Sequence, residues 1–467
     1  MIQTAINAIN SFLYNRLLII LLIGAGLYFT IRTKLPQIRL FGEACRATME
    51  KPEDKKKMSS FQALMVSTAS RVGTGNIIGV SSAICIGGFG SVFWMWIIAI
   101  IGSASAMTES TLAQIYKKRG ADGSCYGGPA YYIEAALHSR PLAILFCISM
   151  IATYAFGFNM LASYNLQSTF SGFLFYDPAV TPWIIGGILA VLAGWCLLGG
   201  GSRIVKVTST MVPFMGIAYI LVSLVIIGIN ASYIPTVFRR IFEEAFDFRA
   251  IFGGFAGSAM MQGIRRGLYS NEAGIGSAPN ASASASVSHP IKQGLVQMIS
   301  VFIDTLLLCT ATAMMGLSSG IEPTAELQGA PWIQAALHES LGSFGPIFLT
   351  VSMIMFAFTT LLGNCFYCDN LLAYIHKKVP SKRFMNGFRL VCAAVVFIGA
   401  GMEMDLLWNI SDVLMGVMAL INIPVLLLLS GTVKRALTDF EKQRRTGKNP
   451  VFCAKNINLK QETDFWK

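Results

Sequence analysis

Ten residues early in the chain, Ser70–Gly79, read SRVGTGNIIG: a cation, an amide, two hydroxyls and three glycines. They sit inside an apolar run over 62–88 that is long enough to cross a bilayer. Counted from a helix start near Phe61 at about 1.5 Å per residue, Arg71 lies about 15 Å in, close to the midplane. Glycine relieves the steric limits on a turn, so a break in the helix is expected here. A break frees backbone N–H and C=O groups. In lipid such groups are tolerated only where they line a cavity or a bound ligand. The half-helix after the break offers N–H groups, which suit a carboxylate; the half before it ends in carbonyls, which suit Na+. The spacing Gly73-x-Gly75-x-x-x-Gly79 is not the GxGxxG of a dinucleotide site, and no strand precedes it.

A second interrupted run carries GGFAGSAMMQGIRRG over 253–267. Its break is expected either at Gly253–Gly257 or at Gln262–Gly263, where freed carbonyls would face the amine of a zwitterion. Arg71, Glu109, Glu272, Asp304 and Asp412 fall within or at the edges of apolar runs. Ionisable groups there are costly and rarely idle. Arg71 is expected to pair with a carboxylate such as Glu272 or Asp304, fixing helices or closing a gate, or else to touch the ligand itself. His138, His289, His338 and His376 lie near run ends or in loops, so none is placed as a proton relay, which favours Na+ over H+. The motif CFYC at 365–368 lacks a second ligand pair for a metal, and the ten cysteines suggest no disulfide framework. No HExxH, GxSxG or GxxxxGK[ST] motif is present, which argues against an enzyme or an ATP-driven pump and leaves a channel as the other class of reading.

The elements that must hold these residues follow from composition. The chain has 467 residues, 54% hydrophobic and 13% charged, about half the charge of a soluble domain. Continuous apolar runs give an all-α polytopic membrane protein and exclude an alternating β-barrel. Eleven spans are expected, near 13–31, 62–88, 91–116, 141–163, 181–199, 208–229, 250–271, 292–317, 345–374, 385–402 and 406–430. The first reads as a retained helix, since no cleavage site follows it. The net charge of +12 does not point to nucleic acid, because 31 of 36 Lys and Arg fall in segments on one side of these spans. That side is cytoplasmic by the positive-inside rule, so the N-terminus is expected outside and the C-terminus inside. The second and seventh spans are both interrupted and five spans apart, which is the pattern of an inverted-repeat transporter. The expected units are an extra helix and linker (1–60), a first five-helix repeat (61–230), an amphipathic loop (231–249), a second repeat (250–432) and a basic tail (433–467). A further loop over 320–342 reads as amphipathic, with Trp332 at the interface.

Several motifs resemble the alanine/glycine:cation symporter family: STASRVGTGNIIGV at 67–80, GGFGSVFWMWIIAIIG at 87–102, GGPAYYIE at 127–134, RGLYSNEAGIGSAP at 266–279, HPIKQGL at 289–295 and VFIDT at 301–305. The resemblance covers nearly the whole chain. It implies a bacterial or archaeal cytoplasmic membrane protein with a LeuT-type 5+5 inverted repeat preceded by one extra helix. It also implies Na+-coupled symport of a small neutral amino acid, with no protein partner; H+ coupling is the alternative. By the same resemblance, Na+ would be held by the carbonyls of Ala69, Val72 and Phe356 and the hydroxyls of Thr359 and Thr360, a neutral oxygen set suited to a hard cation. Thr74 and Gly75 would bind the substrate carboxylate, beside Asn76, with Tyr269 in the pocket or inner gate. The sequence departs from the family's alanine pattern in two places. Ala162 stands where glutamine is frequent, and Asn364 where tryptophan is frequent, with Cys368 one turn on. A wider pocket with an amide in its wall resembles the glutamine-handling branch.

Overall fold

The computed structural model describes residues 2–52, 54, 57–120, 123–247, 258–459, 461 and 463–466. The apolar runs fold as helices because backbone groups in hydrocarbon must be satisfied within the segment. α1 runs from Ile2–Phe12 through a π-helical turn, Leu13–Leu18, into Ile19–Arg32. α2 (Ser60–Arg71) starts on a reciprocal cap, in which Ser59 Oγ accepts from the Gln62 N–H and Gln62 Oε1 from the Ser59 N–H. It stops at the break, and α3 (Ile78–Gly87) continues beyond it. There follow α4 (Gly90–Ile115), α5 (Arg140–Ser168), α6 (Thr181–Leu198), α7 (Gly200–Ile229) and the amphipathic α8 (Ile234–Ala245). The second half holds α9 (Ala259–Asn271), α10 (Pro290–Leu317), α11 (Ala330–Leu341), α12 (Phe344–His376), α13 (Lys382–Ala400) and α14 (Met404–Arg445).

Among the described residues, eight of these helices are long and apolar enough to cross a membrane: α4, α5, α6, α7, α10, α12, α13 and α14. Of the other three expected stretches, 13–31 falls on α1 and 62–88 on the broken pair α2–α3, while 258–271 of the seventh falls on α9, its remainder lying outside the described residues. α4 packs against α9 and α10, and α9 against α3, so that the two interrupted segments meet inside one bundle. α5, α6, α12 and α13 pack on one another around it, α7 leans on α2 and α12, and α14 lies along α4 and α5.

The ends are tied by the chain's last residues. Trp466 Nε1 donates to the Gln114 carbonyl at 2.7 Å, and Asp464 pairs with Lys118 at 3.0 Å. Lys117 lies under the rings of Phe465 and Trp466, and burial draws its ammonium down to about 8. All ten cysteines are free. One expectation about the loops changes. Trp332 is not at an interface but fully buried, its Nε1 donating to the Ile321 carbonyl at 3.1 Å.

Candidate functional site

The first break exposes carbonyls by redirecting two N–H groups. In a continued helix the Gly73 N–H would bond to the Ala69 carbonyl; here it donates to Asn76 Oδ1 at 2.8 Å. The Asn76 N–H would reach the Val72 carbonyl, but donates to Gly73 O at 3.2 Å. The carbonyls of Ala69 and Val72 are thereby released from the helix ladder. α12 crosses this point closely. A Cβ on Gly73 would collide with Thr360 Oγ1, and one on Gly363 would stand 2.6 Å from the Ser70 nitrogen. Thr360 Oγ1 is buried with no hydrogen-bond partner. Its neighbour Thr359 instead donates back to its own helix, at 3.0 Å to Met355 O and 3.1 Å to Phe356 O.

The second break is not at Gln262–Gly263; Gly253–Gly257, the other position expected from the sequence, lies outside the described residues. Gln262 and Gly263 are in the middle of an unbroken α9, and Gly263 packs against the Ser91 carbonyl and Trp94. α9 ends at Asn271, and the chain turns through Glu272 (φ 53°), Gly274 (φ 86°) and Gly276 (φ 91°) into the short turn Pro279–Ser282. Left-handed angles at two glycines and a glutamate turn the chain sharply after α9.

The first break and the turn after α9 are each held by a carboxylate from the other half of the chain. Asp304 sits in a π-helical stretch of α10 and accepts from Asn76 Nδ2 at 2.7 Å, Ser270 Oγ at 2.8 Å and Thr305 Oγ1 at 2.7 Å. Glu109 on α4 accepts from the Gly276 N–H and from Asn422 Nδ2, both at 3.1 Å, while the Asn422 amide also donates to the Gly274 carbonyl at 2.9 Å. Glu272 accepts from Ser277 Oγ at 2.6 Å and lies 3.2 Å from Ser70 Oγ, which brings the turn after α9 against the first break. Ser70 also lies 2.7 Å from Asn364 Oδ1, and Asn364 Nδ2 donates to Asn159 Oδ1 at 2.9 Å. Arg71 makes no ion pair within 4 Å among the described residues, so the direct pair expected from the sequence is not formed. Its Nη1 donates to Gln297 at 3.2 Å, and its Nε and Nη2 are buried without partners. It acts on Glu109, Glu272 and Asp304 through space.

An aromatic and ionic stack covers the first break on the side where α14 begins. A Cβ on Gly75 would meet Tyr269 Cε1 at 2.6 Å. The Tyr269 ring packs on Phe158 and on Trp408, each 4.8 Å between centroids. Arg266 lies 3.9 Å over Trp408 and 3.4 Å from Asp412, which pairs with Arg265 at 2.7 Å. Both arginines lie inside α9. Ala162 is one turn from Phe158 on α5, and Asn165 on the same face donates to Thr74 Oγ1 at 3.0 Å. Toward the tail end of the bundle, a 700 Å³ cavity is lined by Met58, Gln62, Phe366 and Asn370. Cys368 is buried in α12 a turn beyond Asn364, and no described contact ties it to either break. Phe158, Asn165 and Trp408 escaped the sequence reading; the i, i+4, i+7 series Phe158, Ala162, Asn165 was the available signal.

The comparisons with known proteins bear on the family and the fold. The chain is 41% identical over 466 residues to amino-acid carrier protein AlsT of Bacillus subtilis, covering 100% of this chain and 98% of that one. It is 40% identical to the probable sodium/glutamine symporter GlnT of the same organism, covering 98% and 94% of the two chains. It is 36% identical to the sodium/alanine symporter AgcS of Methanococcus maripaludis, covering 94% and 97%. A crystal structure of MhsT in complex with L-phenylalanine superposes with a TM-score of 0.57 at 13% identity, over 82% of this chain and 92% of that one, so the LeuT-type fold is shared. The model of the sodium:alanine symporter family matches residues 1–454, and the chain belongs to that family.

Proposed function

We propose that the protein is a Na+-coupled symporter that carries a small neutral amino acid, alanine, glycine or glutamine, into the cell by alternating access. The observation that carries this reading is the unpartnered Thr360 hydroxyl facing Gly73, where the Ala69 and Val72 carbonyls are released. Three neutral oxygens converging on one break, with the Thr359 hydroxyl and the Phe356 carbonyl adjacent, make a seat for a hard monovalent cation that still lets it leave. The N–H groups of Thr74 and Gly75, at the start of the half-helix beyond, receive the substrate carboxylate. The amine is received by carbonyls freed at the second interruption, at Gly253–Gly257. Tyr269, Phe158 and Trp408 close the site over the substrate, and the Arg265–Asp412–Arg266 cluster locks that cover. The 700 Å³ cavity is the path of release to the other side.

In this reading the chain crosses the cytoplasmic membrane of a bacterium or archaeon eleven times as two inverted five-helix repeats, its basic tail inside. Ala162 and Asn364 set the room for the side chain, and the amide favours a polar one. Proton coupling is the second reading. It draws on the buried carboxylates Glu109, Glu272 and Asp304, and on a 39% identical relative named a putative sodium/proton-dependent alanine carrier. The test is uptake into proteoliposomes of a panel of labelled amino acids under an imposed Na+ gradient or an imposed H+ gradient. Uptake of alanine or glutamine driven by Na+ alone is expected; uptake driven only by H+ selects the second reading, and saturation without counterflow exchange removes both.

A further inference from the structure

A cavity of 1090 Å³ lies at the tail end of the bundle, between the hairpin of Lys118–Arg119 and Cys125–Tyr126, the start of α5 and the end of α12. Its wall carries Lys118, Arg119, Arg140, Lys377, Lys378 and His138. Glu134 is the acidic lining residue among those described, and it is engaged already: the Tyr374 hydroxyl donates to it at 2.5 Å and Arg140 Nη1 stands 3.9 Å away. Lys377 and Lys378 have no carboxylate within 4 Å among the described residues. So much uncompensated positive charge around one hollow is repulsive unless an anion enters it. The rim already receives an oxyanion. Asp464 of the tail takes Lys118 Nζ and the Arg119 N–H, each at 3.0 Å. Burial opposes its ionisation, yet those two donors hold its carboxyl below the ordinary range.

We propose that this cavity binds the phosphate-bearing headgroup of an anionic lipid. Its setting favours a lipid over a free ion. Val379, in the wall, is 39% exposed, and α5 turns Leu145 (51%) and Ile148 (57%) outward within two to three turns of Arg140. The cationic hollow therefore borders directly on surface suited to acyl chains, the placement in which basic pockets between membrane helices take lipid headgroups. Tyr131 and Tyr374, edge to face at 5.0 Å, give it an apolar side that a glycerol backbone can cover. The hollow is separate from the transport site, since Tyr374 lies about 15 Å along α12 from Asn364. Inorganic phosphate shares the headgroup's chemistry, so the experiment must distinguish the two.

The full chain is reconstituted in phosphatidylcholine bilayers and titrated with phosphatidylglycerol, and both the melting temperature and the anionic lipid retained after extraction are read. Phosphatidylglycerol should raise the melting temperature and remain bound. Lys377→Gln with Lys378→Gln should weaken retention roughly tenfold or more while leaving melting in phosphatidylcholine alone unchanged. Lys434→Gln with Lys442→Gln, in the wall of a different cavity at the same end, should leave retention as in wild type. Wild-type retention by the Lys377/Lys378 variant overturns the site, and equal loss in both variants reduces the effect to general surface charge and overturns it too. If inorganic phosphate in phosphatidylcholine reproduces the whole shift, the source is soluble phosphate and the lipid proposal fails.

Discussion

Thr359 and Thr360 are adjacent in sequence but differently committed: the first hydroxyl donates into its own helix, the second has no partner and faces the break. The ion's claim on the two is therefore unequal. Thr360→Val keeps the shape and removes the free oxygen, and apparent Na+ affinity should fall about tenfold, or about 1.4 kcal/mol. Thr359→Val should cost less. Na+-dependence curves of uptake check both, and equal, small effects would move the ion elsewhere. Asn364 is also more constrained than its type suggested. Its amide joins Ser70 to Asn159, so part of its hydrogen-bonding capacity is spent positioning that serine beside the first break. Asn364→Trp should still shrink the site and shift preference from glutamine toward alanine and glycine, but with loss of the bonds to Ser70 and Asn159 and a lower maximal rate. Competition by both sets of amino acids against a labelled substrate reads the shift; an unchanged ranking removes residue 364 from specificity. Asn76 is a bracket more than a ligand: its oxygen holds Gly73 and its nitrogen holds Asp304.

The first interruption was legible in the sequence because glycines, a hydroxyl and an amide are needed at the break itself. Of the two positions open for the second, Gln262–Gly263 fails because the small residues of α9 serve close helix contact, Gly263 against Trp94 and Gly267 against Ile98. After α9 the chain turns through left-handed angles at Glu272, Gly274 and Gly276, a turn the sequence reading did not single out. The helical, membrane-crossing character of the apolar runs was readable from hydropathy, whereas the pairing of α9 with α14 through two arginines and Asp412 depends on contacts far apart in sequence. Two predictions belong to these elements. Gly75→Val puts a branched side chain where Tyr269 stands 2.6 Å from a Cβ, so transport should collapse while the protein still inserts and extracts as a monodisperse species. Normal substrate binding by this variant would place the carboxylate away from Thr74 and Gly75. Asp412→Asn leaves Arg265 and Arg266, 15% and 7% exposed, without their carboxylate. Breaking such a buried cluster costs about 3–5 kcal/mol, so the melting temperature should drop by several degrees. An unaltered melt would show that the cluster does not lock the cover.

At the scale of the whole molecule, the two halves are interlocked by a crossed pair of acids. Asp304, from the second half, holds the first half's break through Asn76; Glu109, from the first half, holds the second half's turn after α9 through the Gly276 N–H. The partners are unlike, a side-chain amide in one case and a main-chain donor in the other, so a second copy of either half offers no equivalent fit. If the gene is divided so that the chain is made as two polypeptides separated between Asn230 and Ala231, each alone should be cleared by membrane proteases. Made together, they should reassemble and restore a measurable fraction of uptake. Glu109→Gln in one fragment should weaken this rescue more than it weakens uptake by the undivided chain, where the covalent link keeps the halves at high effective concentration. Two copies of the first fragment should give nothing. The crossed acids thus act as a recognition code between complementary fragments: they specify assembly with the other half and reject assembly with itself.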